Sequence, residues 1–179
     1  MKKLLVLMTM LLSIPAMAQD VTPDLALYNL KGKVKSMKQG ENTYSFSEEG
    51  KWIEINGEDI YDHYEGVRKN RAKQVIEITW NETGAQPTQQ VMWNTDGTPR
   101  LKTTVYPQGV QNIHISYNEQ GFISKEEYKI DSPSRGGLGG NKTIIYTYNE
   151  VDNYGNWTSR TASVGGKSTT ETRTIEYYE

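Results

Sequence analysis

The chain contains no cysteine, which removes disulfides, zinc–thiolate sites and thiol nucleophiles at once. Stability has to come from packing and strand pairing alone. Histidine is almost as scarce, with only His63 and His114. A Ser-His-Asp centre would need one of them oriented by an acid beside an activated serine, and no nucleophile-elbow motif is present. No long basic run exists, so nucleic acid is not an expected partner. Helical periodicity is missing beyond residue 30, where alternation of apolar and polar residues takes over.

Residues 1–18 have the organisation of a cleaved signal peptide. Lys2 and Lys3 form a positive start, Leu4 to Ile14 is apolar apart from threonine and serine, and Ala16-Met17-Ala18 is a small-x-small cleavage pattern. The apolar run is shorter than the roughly 20 residues of a membrane span, so no span is expected after cleavage. No cysteine follows the cleavage pattern, so no lipid anchor is expected either. These features predict export, to a Gram-negative periplasm or to the cell surface and beyond. Residues 19–179 then form a single domain of 161 residues, long enough for one core. With Lys2 and Lys3 gone, 18 bases face 22 acids, a net charge of −4.

What the chain does have is aromatic side chains in a polar setting: 12 Tyr, 4 Trp and 2 Phe among many Thr, Ser, Asn and Gln. That mixture suits sheets with one buried and one wet face. Disordered segments, by contrast, are poor in aromatic and β-branched residues. A repeated unit organises the aromatics. Phe46-Ser-Glu-Glu-Gly50, Trp80-Asn-Glu-Thr-Gly84, Trp93-Asn-Thr-Asp-Gly97 and Tyr117-Asn-Glu-Gln-Gly121 share one spelling. Tyr64-Glu-Gly66, Tyr106-Pro-Gln-Gly109 and the stretch from Tyr148 to Gly155 are looser relatives. In the four clear copies a strand is expected to end on an aromatic, Asn or Ser to open a turn, and Gly to leave it in a left-handed conformation.

The fold expected from this rhythm is all-β: an antiparallel up-and-down meander of about 10–12 short strands, curled into an open sheet or barrel-like shell. Strands are placed near 33–39, 42–47, 51–56, 59–64, 73–80, 88–93, 99–106, 110–117, 122–130, 142–149, 156–163 and 168–178. Asp24 is placed to cap a short turn of helix through Leu25, Leu27 and Leu30 that packs across an end of the sheet. Lys69 to Lys73 is expected to be an exposed connection, and Asp131 to Gly140 the longest loop.

The turn units, with Tyr154-Gly-Asn-Trp-Thr-Ser-Arg160 as the best example, resemble those of YD-repeat (Rhs-like) proteins. Leu30-Lys-Gly-Lys-Val-Lys-Ser36 is similar to the opening strand of small exported proteins that carry such units. The rhythm covers roughly residues 30 to 178, and residues 145 to 163 match closely. Most copies have Trp-Asn or Tyr-Asn where the family has Tyr-Asp. The resemblance implies a β-hairpin array at the cell envelope and brings no catalytic residues with it.

Candidate sites follow from composition. Asp59, Asp62, His63 and Glu65, with Glu58 beside them, form the densest acidic cluster, but no calcium-loop spacing accompanies them. Solvated hairpin charge is the simpler reading, and no metal is expected. Gly136-Gly-Leu-Gly-Gly140 lacks the lysine and hydroxyl of a phosphate loop, so no nucleotide cofactor is expected. Trp52, Trp80, Trp93 and Trp157 could stack on sugar rings where exposed, although sheet aromatics are more often core. Trp157 follows a turn and alternates with Thr158 and Arg160, so Trp157, Tyr154 and Arg160 form the candidate ligand-binding set. The function expected is a non-enzymatic exported β-repeat module that binds a glycan or an envelope protein. Its rivals are a carbohydrate-active hydrolase with two acids ~5–10 Å apart and a small outer-membrane barrel with spanning strands of about 9–11 residues.

Overall fold

A computed structural model describes residues 23–80, 88–107, 109–131 and 140–179. Residues 1–22, where a signal peptide is expected, together with 81–87, 108 and 132–139, lie outside the described residues. One helical turn, Pro23–Leu27 (α1), precedes the strands Val34–Gln39 (β1), Asn42–Phe46 (β2), Trp52–Ile55 (β3) and Glu58–Asp59 (β4). A second helical turn, Ile60–His63 (α2), leads into Tyr64–Lys69 (β5), Val75–Trp80 (β6), Thr88–Trp93 (β7) and Pro99–Tyr106 (β8). Gly109–Tyr117 (β9), Ile123–Asp131 (β10), Lys142–Val151 (β11), Trp157–Val164 (β12) and Lys167–Tyr177 (β13) complete the series.

All 13 strands form one sheet in the order β4-β3-β2-β1-β13-β12-β11-β10-β9-β8-β7-β6-β5. Neighbours are antiparallel throughout, as the meander requires. The order differs from a simple meander in one respect: β1 pairs with β13, which leaves the consecutive strands β4 and β5 at opposite edges. Laid flat, 13 strands would hold these edges roughly 58 Å apart at about 4.8 Å per step. The chain joins them through the 4 residues of α2, a rise of about 6 Å. The sheet therefore curls until its edges approach, without a ladder between β4 and β5 to close it. The expected strand at 59–64 is replaced by the two-residue β4, the turn of helix and β5.

Five turns share one geometry and sit at one end of the curled sheet. Residues 47–51, 70–74, 94–98, 118–122 and 152–156 each close with a backbone bond from the first N–H to the fifth carbonyl, at 2.7–2.9 Å. In each, the fourth residue donates back to the first carbonyl, and it is left-handed: Gly50, Lys73, Gly97, Gly121 and Gly155. Asn70, Asn118 and Asp152 open their turns by accepting two N–H groups on one side-chain oxygen. Each turn is followed by a bulge, at Ile53, Ile76, Arg100, Ser124 and Thr158. The 70–74 copy lies in the stretch expected to be an exposed connection, and residues 70–73 are exposed, with Lys73 at φ 61 in the glycine position. In the 152–156 copy the residue before the turn is Val151, not Tyr148. At the opposite end, tight turns at 40–41, 56–57 and 165–166 join their strands through positive-φ residues such as Asn56 and Gly57.

The N-terminal segment closes the five-turn end. α1 stops in a Schellman arrangement: Leu30 N–H reaches Leu25 O (3.0 Å), Asn29 N–H reaches Ala26 O (3.1 Å), and Asn29 is left-handed at φ 52. Leu25 and Leu30 are buried together with Val34, Met37, Phe46, Trp52, Ile60, Val75 and Ile78. That cluster joins side chains from β1–β3 to side chains from β6, so the two arms of the curl share one core. Asp24 is buried and accepts from Lys69 Nζ (2.7 Å) and Trp52 N–H (3.2 Å). Asn29 donates to Gly121 O, and Asn156 grips the backbone of Lys31 through both ends of its amide. The segment is thus tied to four of the five turns or the strands beside them.

Candidate ligand-binding cavity

Pairing across the sheet puts Tyr44, Trp52, Ile78, Gln89, Lys102, Glu126, Tyr146, Arg160 and Arg173 on the concave face. Beside the N-terminal segment this face encloses a cavity of about 450 Å³. Its apolar wall is Leu27, Tyr28, Tyr44, Trp52, Ile55, Ile78 and Trp80, and its polar wall is Asn42, Asn56, Gln89 and Lys102. Tyr28 organises the aromatic side: its ring lies 4.8 Å from Tyr44 and 5.5 Å from Trp52, the latter edge-on at 74°. Edge-to-face and tilted contacts of this kind hold rings in fixed orientations.

The polar wall is equally ordered. Asn56 accepts Thr43 N–H (2.8 Å) and donates to Asn42 Oδ1 (3.1 Å), while the Asn42 amide N–H side faces the Tyr44 hydroxyl. Gln89 donates to Thr104 Oγ1 (3.3 Å), so its carbonyl stays available. Lys102 is half-buried. Burial pushes its ammonium below the ordinary lysine range, and the Glu126 carboxylate opposes the shift. No aspartate or glutamate lines the cavity among the described residues.

Farther along the concave face, polar groups pair with one another. Glu126 accepts the hydroxyls of Tyr146 (2.9 Å) and Tyr128 (3.1 Å). Burial first and the Glu126 charge second keep both phenols protonated well above the usual range. Arg160 pairs with Glu171 at 2.7 Å while its guanidinium lies 3.8 Å over Tyr146 and 4.3 Å over Trp157. Arg173 packs on Trp157 at 4.0 Å and donates to the carbonyls of Trp157, Tyr28 and Asn29. Burial and the nearby Arg160 pull its pKa down, and the three carbonyls fix its donors.

The three residues expected to bind ligand do not form one site. Trp157 is 2% exposed and covered by two guanidiniums, so it offers no open ring face. Simple alternation separates Trp157 from Arg160, but the bulge at Thr158 turns both to the concave side. Tyr154 stands apart at the five-turn end, 47% exposed and stacked on Tyr177 at 3.9 Å. It borders a groove of about 630 Å³ with Leu25, Lys33, Glu48, Glu49 and Tyr178. The groove is the larger of the two spaces, yet several of its polar groups are already engaged: Lys33 with Glu48, Glu49 with Ser47, and Tyr178 with Phe46 O. The concave cavity is therefore the better candidate.

Other expected positions are placed as follows. His114 is exposed, Asp59 and Asp62 are exposed, and the His63 and Glu65 side chains lie outside the described residues. Among the described residues no three or more His, Asp or Glu side chains converge on a metal-sized site. Trp93 donates its indole N–H to Val75 O (2.8 Å). Tyr44, Asn42, Gln89 and Lys102 carried no sequence signal, because strands distant in sequence bring them to one cavity.

No protein-family model matches this chain, and no curated protein matches its sequence.

Proposed function

We propose that the chain is an exported, non-enzymatic β-repeat module, built from YD-type hairpin units, that binds a glycan in its concave cavity. The observation that carries this reading is the lining of the cavity: preset aromatic rings on one wall and amide side chains on the other. Sugar rings present apolar C–H faces and polar hydroxyl edges, and such a wall pair matches both. The cavity volume suits one or two sugar units.

The hydrolase reading finds less support. A glycosidase needs two free carboxyl groups facing one another across the bond to be cut. No acid lines the cavity among the described residues, and Glu126 and Glu171 are engaged by tyrosines and Arg160. A membrane barrel is also disfavoured by the convex face. There Lys125 and Glu127 pair with one another at 3.3 Å, and Thr143, Thr147, Thr172 and Thr174 are exposed where a lipid-facing row is apolar.

A glycan array probed with residues 19–179 tests the proposal. Binding should be present and should weaken about tenfold in Trp80→Ala, the loss of one stacking ring. An array that stays blank refutes it.

A further inference from the structure

Lys102 is the one charged residue that lines the cavity among the described residues. Its stem rises from the middle of β8 beside Val91 of β7 and Ile113 of β9, so the ammonium is held on the concave face. No ion pair or hydrogen bond from Lys102 to a described side chain is formed. The carboxylate whose charge acts on it is Glu126, two strands away on β10, and its Oε2 accepts the hydroxyls of Tyr128 and Tyr146. Asn42 and Gln89 add amide groups to the same wall, and Thr104 beside them is buried.

A half-buried ammonium without an ion pair is costly to maintain in a fold. Placed in an otherwise neutral cavity, it favours a ligand that brings the missing negative charge. A phosphate carries up to two charges and three acceptor oxygens, which several cationic or backbone N–H donors usually share, whereas a carboxylate brings a single charge. The cavity has one point-charge donor and aromatic rings instead, which fits a carboxylate carried on a sugar ring.

From this arrangement we infer that the cavity selects acidic sugars, with Lys102 holding the carboxylate of a uronate or sialate unit while the aromatic wall takes the ring face. The inference rests on the glycan-binding reading of the same cavity and names its substrate class. The probes are oligogalacturonides, glucuronate-containing oligosaccharides and sialyllactose, each compared with its methyl ester and its neutral counterpart, by calorimetry on residues 19–179.

At least one free acid should bind tenfold or more tighter than its ester, the difference made by a charge-assisted bond. Lys102→Met keeps the length of the stem and should bring the acid-to-ester affinity ratio down to about one, whatever it does to ester binding itself. Lys102→Arg should restore it in part, and raised salt should weaken the acid alone. Acid, ester and neutral sugar binding equally, or neutral sugars alone binding, overturns the acidic-sugar inference and leaves the glycan-binding reading standing. Failure of every sugar, on the array and in calorimetry, overturns both. Circular dichroism and a melting curve of each variant separate loss of binding from loss of fold.

Discussion

Replacing Asn156 with alanine should loosen the N-terminal segment from the sheet. Asn156 is fully buried; its Oδ1 accepts Lys31 N–H at 2.8 Å, and its Nδ2 donates to Lys31 O at 2.9 Å and to Tyr177 Oη at 2.7 Å. Each bond contributes about 1 kcal/mol, and a buried group left without a partner costs about 1–3 kcal/mol. Lys31 is only half-buried, so water can replace part of what its backbone loses. The expected cost is therefore about 2–4 kcal/mol, or roughly 5–15 °C in melting temperature for a domain of this size. Urea unfolding gives the global value, and amide exchange at Lys31 gives the local one. Tyr177→Phe is the control: it removes the hydroxyl shared by Asn156 and Asp152 but spares both bonds to Lys31, so exchange there should change little. A loss below about 1 kcal/mol in Asn156→Ala, or unchanged exchange at Lys31, would show that the amide clamp is not what holds the segment.

Three further outcomes are expected. Lys73→Gly should stabilise the protein by about 0.5–1 kcal/mol, because a side chain at φ 61 is strained where glycine is not, and a melting curve reads it directly. Asp24→Ala should cost about 2 kcal/mol and Asp24→Asn about 1 kcal/mol less than that, since asparagine can still accept Trp52 N–H; paired urea melts measure the gap. Alkali should unfold the protein through its tyrosines: the Tyr128 and Tyr146 hydroxyls are raised above 10.0, so their contribution is intact below pH 10 and is lost as pH climbs beyond it. Tyrosinate absorbance should then rise together with loss of the sheet's circular dichroism, and uniform titration near pH 10 with the fold intact refutes the argument.

The sequence revealed the hairpin units because turn chemistry is local. Ser47, Asn94 and Asn118, each followed three residues later by glycine, announce their turns without reference to the rest of the chain. The 70–74 copy was hidden by Lys73, which adopts the left-handed conformation without being glycine. Arg173, Ile175 and Tyr177 alternate with Thr172, Thr174 and Glu176, and because β13 is regular there, simple alternation gives the inner and outer faces. Bulges spoiled the same reasoning elsewhere. At Ile76 one extra residue puts Val75 on the core side with Ile78, and at Thr158 another puts Trp157 and Arg160 together. The cavity was the least legible feature. Its residues come from α1, β2, β3, β6, β7 and β8, and they meet only because the sheet curls and β1 pairs with β13.

That last pairing has a kinetic consequence. Most ladders close across short turns, but Ser36 bonds to Glu176 over a sequence separation of 140 residues. Closing a loop of that length costs about 4 kcal/mol in chain entropy, several times the cost of a tight hairpin. The β5–β13 arm can zip by nearest-neighbour steps, while β1–β4 and the N-terminal segment must wait for β13 before they find their place. On the ribosome, the strands made first are completed by the strand made last. Until then the β1 edge is an open template, and Lys35 and Lys38, both exposed on that strand, put charge where a stray chain would otherwise pair.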